Sequence, residues 1–339
     1  MKLTNRTRLA LALLLFCLLP ALAFAHKPYD RIVVFGDSLS DPGNAFALTG
    51  NALQPPYESL DALLIPNAPY AVGRYHFSNG ATWIEQLART LGLKRSAGPA
   101  FREGHHHRHA PANYAVGGAR ARDNGVGVNL PAQVDAYIAA EESDASDSLY
   151  AITIGGNDVR DAIAALAVDG TGAASASILE AALTSLSDNI QALYASGARE
   201  FLIGNAPDLS LTPAIRTLDL FSPGTVMAAA LISDQYNTGL DALLANLQAA
   251  LPDLVIHKFD IYGILHELVS NPQQYRLNNV TDGCVMPGIQ PYACDEPRHY
   301  LFWDGIHPTA SAHGLFAKFA RDTLLPCRQA HERDDIAER

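Results

Sequence analysis

The chain has 339 residues, 48% of them hydrophobic and 17% charged, which excludes a disordered or fibrous polypeptide and supplies enough apolar side chains for a large core. A formal net charge of −11 gives no electrostatic footprint for nucleic acid or for an anionic membrane surface. Any contact with lipid must therefore be apolar, local and at most transient.

The first residues carry Lys2, Arg6 and Arg8, then run apolar from Leu9 to Leu22 and close on Ala23-Phe24-Ala25. That is a charged n-region, an apolar h-region and an A-x-A cleavage site, and the run is shorter than the roughly 20 residues that span a bilayer. Residues 1–25 read as a signal peptide cleaved near Ala25, so the chain is expected to be exported, to the periplasm or beyond. An uncleaved N-terminal anchor is the alternative. Bulky Phe16 before Cys17 argues against a lipid-anchored product.

Arg31-Ile32-Val33-Val34-Phe35 is a short apolar run rich in β-branched residues, as expected for a strand buried on both faces. Leu149 to Ile154, Phe201 to Ile203 and Leu254 to Phe259 are further strand candidates. Helical patterns lie around them. Leu179, Leu183, Leu186, Ile190 and Leu193 alternate spacings of four and three, which lines one helix face, and Trp83–Leu93, Val226–Leu251 and Ala310–Leu324 read similarly. Strands alternating with helices predict an α/β fold with a parallel sheet covered on both faces. Residues 50–69 and 96–111 have loop composition, the second containing His105, His106, His107 and His109. Residues 26–327 are expected to form one domain, followed by a charged tail over 328–339 that is expected to be disordered.

Export permits disulfides. Cys284 and Cys294 bracket a stretch holding Pro287, Gly288 and Pro291, and are expected to pair across a short closed loop; Cys327 is left over.

In a parallel sheet, chemistry gathers beyond the carboxyl ends of the strands. The first strand runs into Gly36-Asp37-Ser38-Leu39-Ser40-Asp41, which would place the Ser38 hydroxyl in that crevice beside helix N–H groups. The same residues also suit a plain turn and helix cap. The G-x-S-x-G elbow of α/β-hydrolases is not met, because Ser40 occupies its fifth position. A serine needs a base, and the base needs an orienting group. Asp304-Gly305-Ile306-His307 can bring a carboxylate and an imidazole side by side, although Asp304 could instead cap the helix beginning near Pro308 while His307 packs beside Trp303. Acyl transfer also needs donors for a developing oxyanion. Asn157 in Gly155-Gly156-Asn157-Asp158 and a glycine N–H within Asn113-Tyr114-Ala115-Val116-Gly117-Gly118-Ala119 are candidates, each equally open to ordinary turn chemistry.

Gly36 to Leu39, Asn113 to Ala119, Gly155 to Asp158 and Asp304 to His307 occur in the order and positions of four blocks of the GDSL, or SGNH, esterase/lipase family, and the chain resembles that family from about residue 30 to residue 325. The resemblance implies a flavodoxin-like, three-layer α/β/α fold. It implies Ser38 as nucleophile, His307 as general base and then acid, and Asp304 as its orienting group. The N–H of Ser38, an N–H at Gly118 and the amide of Asn157 would form the oxyanion hole, with Gly117 competing for the role of Gly118. Gly73 to Gly80 with Trp83, and Asn205 to Asp208, resemble stretches of the larger, secreted bacterial and plant-like lipase members. No metal or other cofactor is implied. The substrate would be a small-molecule or lipid ester, with lipid or phospholipid acyl esters set against carbohydrate O-acetyl esters. Leu60 to Leu64 and Phe221 could line an acyl groove or belong to the core. Two other readings are weighed against this one, a metal-binding protein using the histidine tract and a catalytically silent carbohydrate- or surface-binding module. Oligomeric state is not legible.

Overall fold

The computed structural model describes residues 29–102, 111–140 and 147–325. The signal segment, the histidine tract at 105–109, Cys327 and the charged tail lie outside the described residues.

Four parallel strands, β1 (Arg31–Gly36), β2 (Ser148–Thr153), β3 (Glu200–Gly204) and β4 (Val255–Phe259), lie side by side in chain order. A further extended segment flanks β1. Val34 N–H donates to Ala112 O at 2.9 Å, Tyr114 N–H to Val34 O at 2.7 Å and Val116 N–H to Gly36 O at 3.1 Å, so residues 112–116 run parallel to β1 at the sheet edge. Counting that segment as second in sequence, the sheet order is 2-1-3-4-5, the flavodoxin-like order with its switch point at β1. The expected fold class is the observed one. Four of the five extended segments are marked by apolar runs; residues 112–116 are not, because the stretch is short and Asn113 interrupts it.

Side chains alternate across the sheet, as a period of two requires. Val33, Phe35, Tyr150, Ile152, Phe201 and Ile203 point into one core, and Ile32, Val34, Leu149, Ala151 and Leu202 into the other. The first face is covered by α3 (Leu130–Ala139), α4 (Gly156–Val168), α5 (Ala173–Ala195) and α7 (Thr225–Ala250), after the short helices α1 (Asn44–Thr49) and α2 (Trp83–Thr90) and the intervening α6 (Pro213–Asp219) are counted in chain order. The second face is covered by α2, α8 (Ile261–Ser270) and α9 (Ala310–Leu324). Leu179, Leu186, Ile190 and Leu193 of the expected stripe on α5 are buried, while Leu183 is half-buried against α7 close to Gly239. The outer edge, β4, carries Lys258, a charged side chain of the kind that suits an exposed edge strand, next to the polar His257.

A small second sheet pairs β5 (Asn279–Gly283) with β6 (Tyr300–Phe302) beside the Asp304–His307 segment. No run of alternating apolar residues announces these strands. Cys284 and Cys294 form the expected disulfide next to this sheet, in a minor apolar cluster with Tyr57, Tyr70 and Trp303.

Candidate active site

Ser38 sits in a tight turn after β1, held by Ser40 N–H to Asp37 O at 3.1 Å and Leu39 N–H to Asp37 Oδ1 at 3.0 Å. The expectation that helix N–H groups would attend it is corrected. α1 begins six residues later, and the N–H groups of Gly43, Asn44 and Ala45 at its start are all taken by the Asp41 carboxylate. Among the described residues, the backbone N–H of Ser38 has no acceptor.

Two hundred and sixty-nine residues later in sequence, His307 Nε2 lies 2.8 Å from Ser38 Oγ. On the other side of the ring, Nδ1 lies 2.8 Å from Asp304 Oδ2 and 3.0 Å from Oδ1. Asp304 Oδ1 also accepts the N–H groups of Ile306, at 2.9 Å, and His307, at 2.8 Å. Asp304 therefore closes an Asx turn instead of capping α9, whose cap is the Thr309 hydroxyl, accepting from Ala312 N–H at 3.1 Å. Asp304 is wholly buried, and His307 and Ser38 nearly so. Trp303 N–H donates to His307 O at 2.7 Å, fixing the turn at its exit.

Residues 73–79 brace this arrangement. Ser78 Oγ donates to Pro308 O at 2.8 Å, and Asn79 Oδ1 accepts from Ala310 N–H at 2.7 Å. Phe77 lies 5.5 Å from the His307 ring, centroid to centroid, and a Cβ on Gly117 would fall 2.0 Å from its ring edge. Gly117 is thus the residue that permits Phe77 to sit between the histidine and the glycine turn.

Gly117 and Gly118 differ in what their N–H groups meet. Gly117 N–H is engaged by Asp41 Oδ2 at 2.8 Å. Gly118 N–H has no acceptor among the described residues, and its φ of 81° with open space at the Cβ position suits a glycine facing a crevice. Asn157, at the start of α4, donates one amide N–H to Ala119 O at 2.9 Å, which ties it to the same turn and leaves its second amide hydrogen without an acceptor among the described residues. Asp158 next to it accepts from Ala121 N–H at 2.7 Å and Arg122 at 2.6 Å, locking the glycine turn to α4.

Several side-chain contacts of this construction carry no signal in the sequence. Asn113 Nδ2 donates to Ser40 O at 2.8 Å while Asn44 Nδ2 reaches Asn113 O and Ala115 O, cross-linking the serine turn to the edge segment. Gln133 clamps both backbone groups of Gly36 at 2.9 Å. Tyr70 donates to Asp304 Oδ2 at 3.0 Å. Burial raises the carboxyls of Asp37 and Asp41 to about 6, in Asp41 despite four backbone N–H donors.

A groove of about 540 Å³ opens beside Gly118, walled by Ala45, Leu48, Leu53, Phe77, Val116 and Val126 among others. Leu60 and Leu64 are not part of it; they pack on the cluster of Tyr57, Tyr70 and Trp303, and Phe221 is an exposed residue between α6 and α7.

A doubly wound parallel sheet with a serine, histidine and aspartate hydrogen-bonded in series beyond its strand ends is the arrangement of a serine hydrolase. Residues 32–320 match the family described as GDSL-like Lipase/Acylhydrolase, and the chain belongs to that family. Similar proteins include a GDSL esterase/lipase of Arabidopsis thaliana, 29% identical over 84% of this chain and 82% of its own length, and a second from the same plant, 25% identical over 88% and 87%. These relatives are plant proteins and lend no support to a bacterial branch. Among solved structures, a catalytic mutant of an acetylxylan esterase from Geobacillus stearothermophilus aligns at a TM-score of 0.44 and 14% identity, over 87% of this chain and 92% of that one. The protein is a carboxylic ester hydrolase.

Proposed function

We propose that the protein is exported after loss of residues 1–25, that residues 26–327 form its hydrolase domain, and that it cleaves acyl esters by way of Ser38. The observation that carries this reading is the unbroken series from Ser38 Oγ through His307 to Asp304, each link 3.0 Å or shorter. His307 Nε2 takes the Ser38 proton as Oγ bonds to the ester carbonyl carbon. The carbonyl oxygen becomes an oxyanion, facing the N–H groups of Ser38 and Gly118 and the second amide hydrogen of Asn157. As the tetrahedral species collapses, the bond to the alcohol breaks and His307 gives that alcohol its proton. Water then adds to the acyl-serine by the same route, releasing the acid and restoring Ser38. Beyond the ester and one water, every proton transfer is carried by His307 and every oxyanion donor comes from the chain itself.

The groove supports an apolar acyl chain over a sugar. Of the polar side chains on its wall, Asn129 is bonded to Asp123, Asn124 and Val126, Arg120 to Asp161 and Gly118 O, and Thr49 to Ala45 O. Asn51 and Asn67 are the remaining polar side chains of the wall, without a side-chain partner among the described residues, against an apolar lining of Ala45, Leu48, Leu53, Phe77, Val116 and Val126. Leu48 and Val126 are exposed apolar residues on the same wall, as a chain-binding surface requires.

Ser38→Ala tests the assignment. In protein recovered from the exported fraction, with an N-terminus expected at His26, the variant should lose at least about 10⁴-fold in kcat for p-nitrophenyl esters while staying folded. Activity within tenfold of wild type would end the reading.

A further inference from the structure

Asp304 is wholly buried, so each of its lone pairs needs a donor. Oδ1 receives two, from the N–H groups of Ile306 and His307. Oδ2 receives the His307 ring N–H and one more, the Tyr70 hydroxyl at 3.0 Å. That donor comes from far away in the chain, from the long irregular stretch between α1 and α2. We propose that Tyr70 is a positioning residue for the Asp304–His307 pair: by hydrogen-bonding Oδ2 it fixes the carboxylate's rotation and limits how much of its charge is available to the imidazole. This rests on the reading of Ser38 and His307 as nucleophile and base.

The surroundings hold Tyr70 in place to do this. Its ring is fully buried and meets Tyr57 and Trp303 edge to face, at 5.6 and 5.7 Å between centroids. Its backbone is pinned on both sides, with Tyr70 N–H donating to His76 O at 2.9 Å and Tyr75 N–H to Tyr70 O at 2.9 Å. Leu53 and Ala71 add a further pair of backbone bonds around it. Burial and the adjacent Asp304 push the phenol far above its ordinary range, so it stays a donor at every working pH. A hydroxyl that only filled space would not need to meet the one acceptor that also orients the histidine. Asp37, after β1, and His313, on α9, are further titratable groups in electrostatic contact with His307.

The sign of the effect follows from charge. An oxygen relieved of one donor carries more negative charge toward the imidazole and stabilises its protonated form. Tyr70→Phe keeps the ring and its packing while deleting the donor. It should lower kcat by about 10- to 100-fold, the range known for outer partners that orient a metal-bound imidazole, which hold the ring in the same way. KM for a short ester should hold, and the acid limb of the kcat/KM profile should move to higher pH. The low-field proton resonance of the His307–Asp304 hydrogen bond should move as well, a readout that needs no turnover. Should Tyr70→Phe not fold, 3-fluorotyrosine at position 70 is nearly isosteric and a stronger donor, and should move the acid limb to lower pH. An unchanged acid limb and an unchanged resonance overturn the proposal, even where kcat falls, since packing alone would then explain the loss. Failure of the Ser38 reading is seen separately, as retained activity in Ser38→Ala with Tyr70 intact.

Discussion

Asp41 shows what a single carboxylate can organise. Its Oδ1 accepts from Gly43 and Asn44, its Oδ2 from Ala45 and Gly117, so one side chain joins the serine turn, the start of α1 and the glycine turn. Asparagine at this position has one acceptor oxygen, and its NH₂ would meet two N–H donors. Either α1 or the glycine turn must give way. Asp41→Asn is expected to lower kcat by up to about 10²-fold, the effect of misplacing one oxyanion donor, with a smaller change in KM. Steady-state kinetics on a short ester check this, and a variant that lost only substrate affinity would contradict it. Ser38, Asp304, His307 and Asn157 stand out in sequence only together, as blocks in the order of a known family, since each alone suits an ordinary turn or cap. The choice between Gly117 and Gly118 was not legible there, because it turns on which N–H Asp41 occupies. Tyr70 was equally hidden, as one tyrosine among 13 with no local pattern to mark it.

At the scale of elements, strands and long helices were readable because both periods are written in apolar residues. Ala310–Leu324 has the same limits in sequence and structure, and β1, β2 and β3 differ from expectation by one or two residues at their ends. The edge segment at 112–116 and the pair β5 and β6 were missed for a common reason, since their backbone bonds are made to distant partners while their side chains show no alternation. The wall of the groove belongs to these poorly patterned parts, with α1 on one side and residues 116–129 on the other. Leu48 of α1 is 45% exposed and projects on that wall without supporting the core. Leu48→Trp should therefore obstruct the groove at little cost in stability. Across p-nitrophenyl esters from acetyl to dodecanoyl, wild type is expected to favour the longer chains. The variant should keep acetyl hydrolysis while losing about tenfold or more on the long ones, since each lost buried methylene is worth about 0.8 kcal/mol. A wild-type profile confined to acetyl groups would instead mean that the groove holds no acyl chain.

For the whole molecule, burying the site within a three-layer fold leaves titratable groups, Asp37, Asp41 and His313 among them, whose effects on stability oppose one another. Burial raises Asp37 and Asp41 from the ordinary 3.8 to about 6 and lowers His313 from 6.5 to about 3. The two aspartates hold protons in the folded state that the unfolded chain has released. Their contribution is full below pH 3.8 and is lost as pH rises through 6. His313 has the opposite sign. It is folded in neutral form, with Nδ1 accepting from Trp83 N–H at 3.2 Å, and its contribution is present above pH 6.5 and lost as pH falls toward 3. Sequence could not supply this balance, because nothing in the residue order says that His313 on α9 would face Trp83 of α2 in a sealed core. His313→Gln removes the titration and can keep an acceptor for Trp83. Each pH unit of differential proton binding is worth about 1.4 kcal/mol. The variant's unfolding free energy relative to wild type should then rise steadily as pH is lowered from 6.5 to 4, whatever the offset at pH 7. Urea unfolding at pH 7, 5.5 and 4 measures that difference, and a value that stays constant over the three would show that His313 does not titrate as its burial requires.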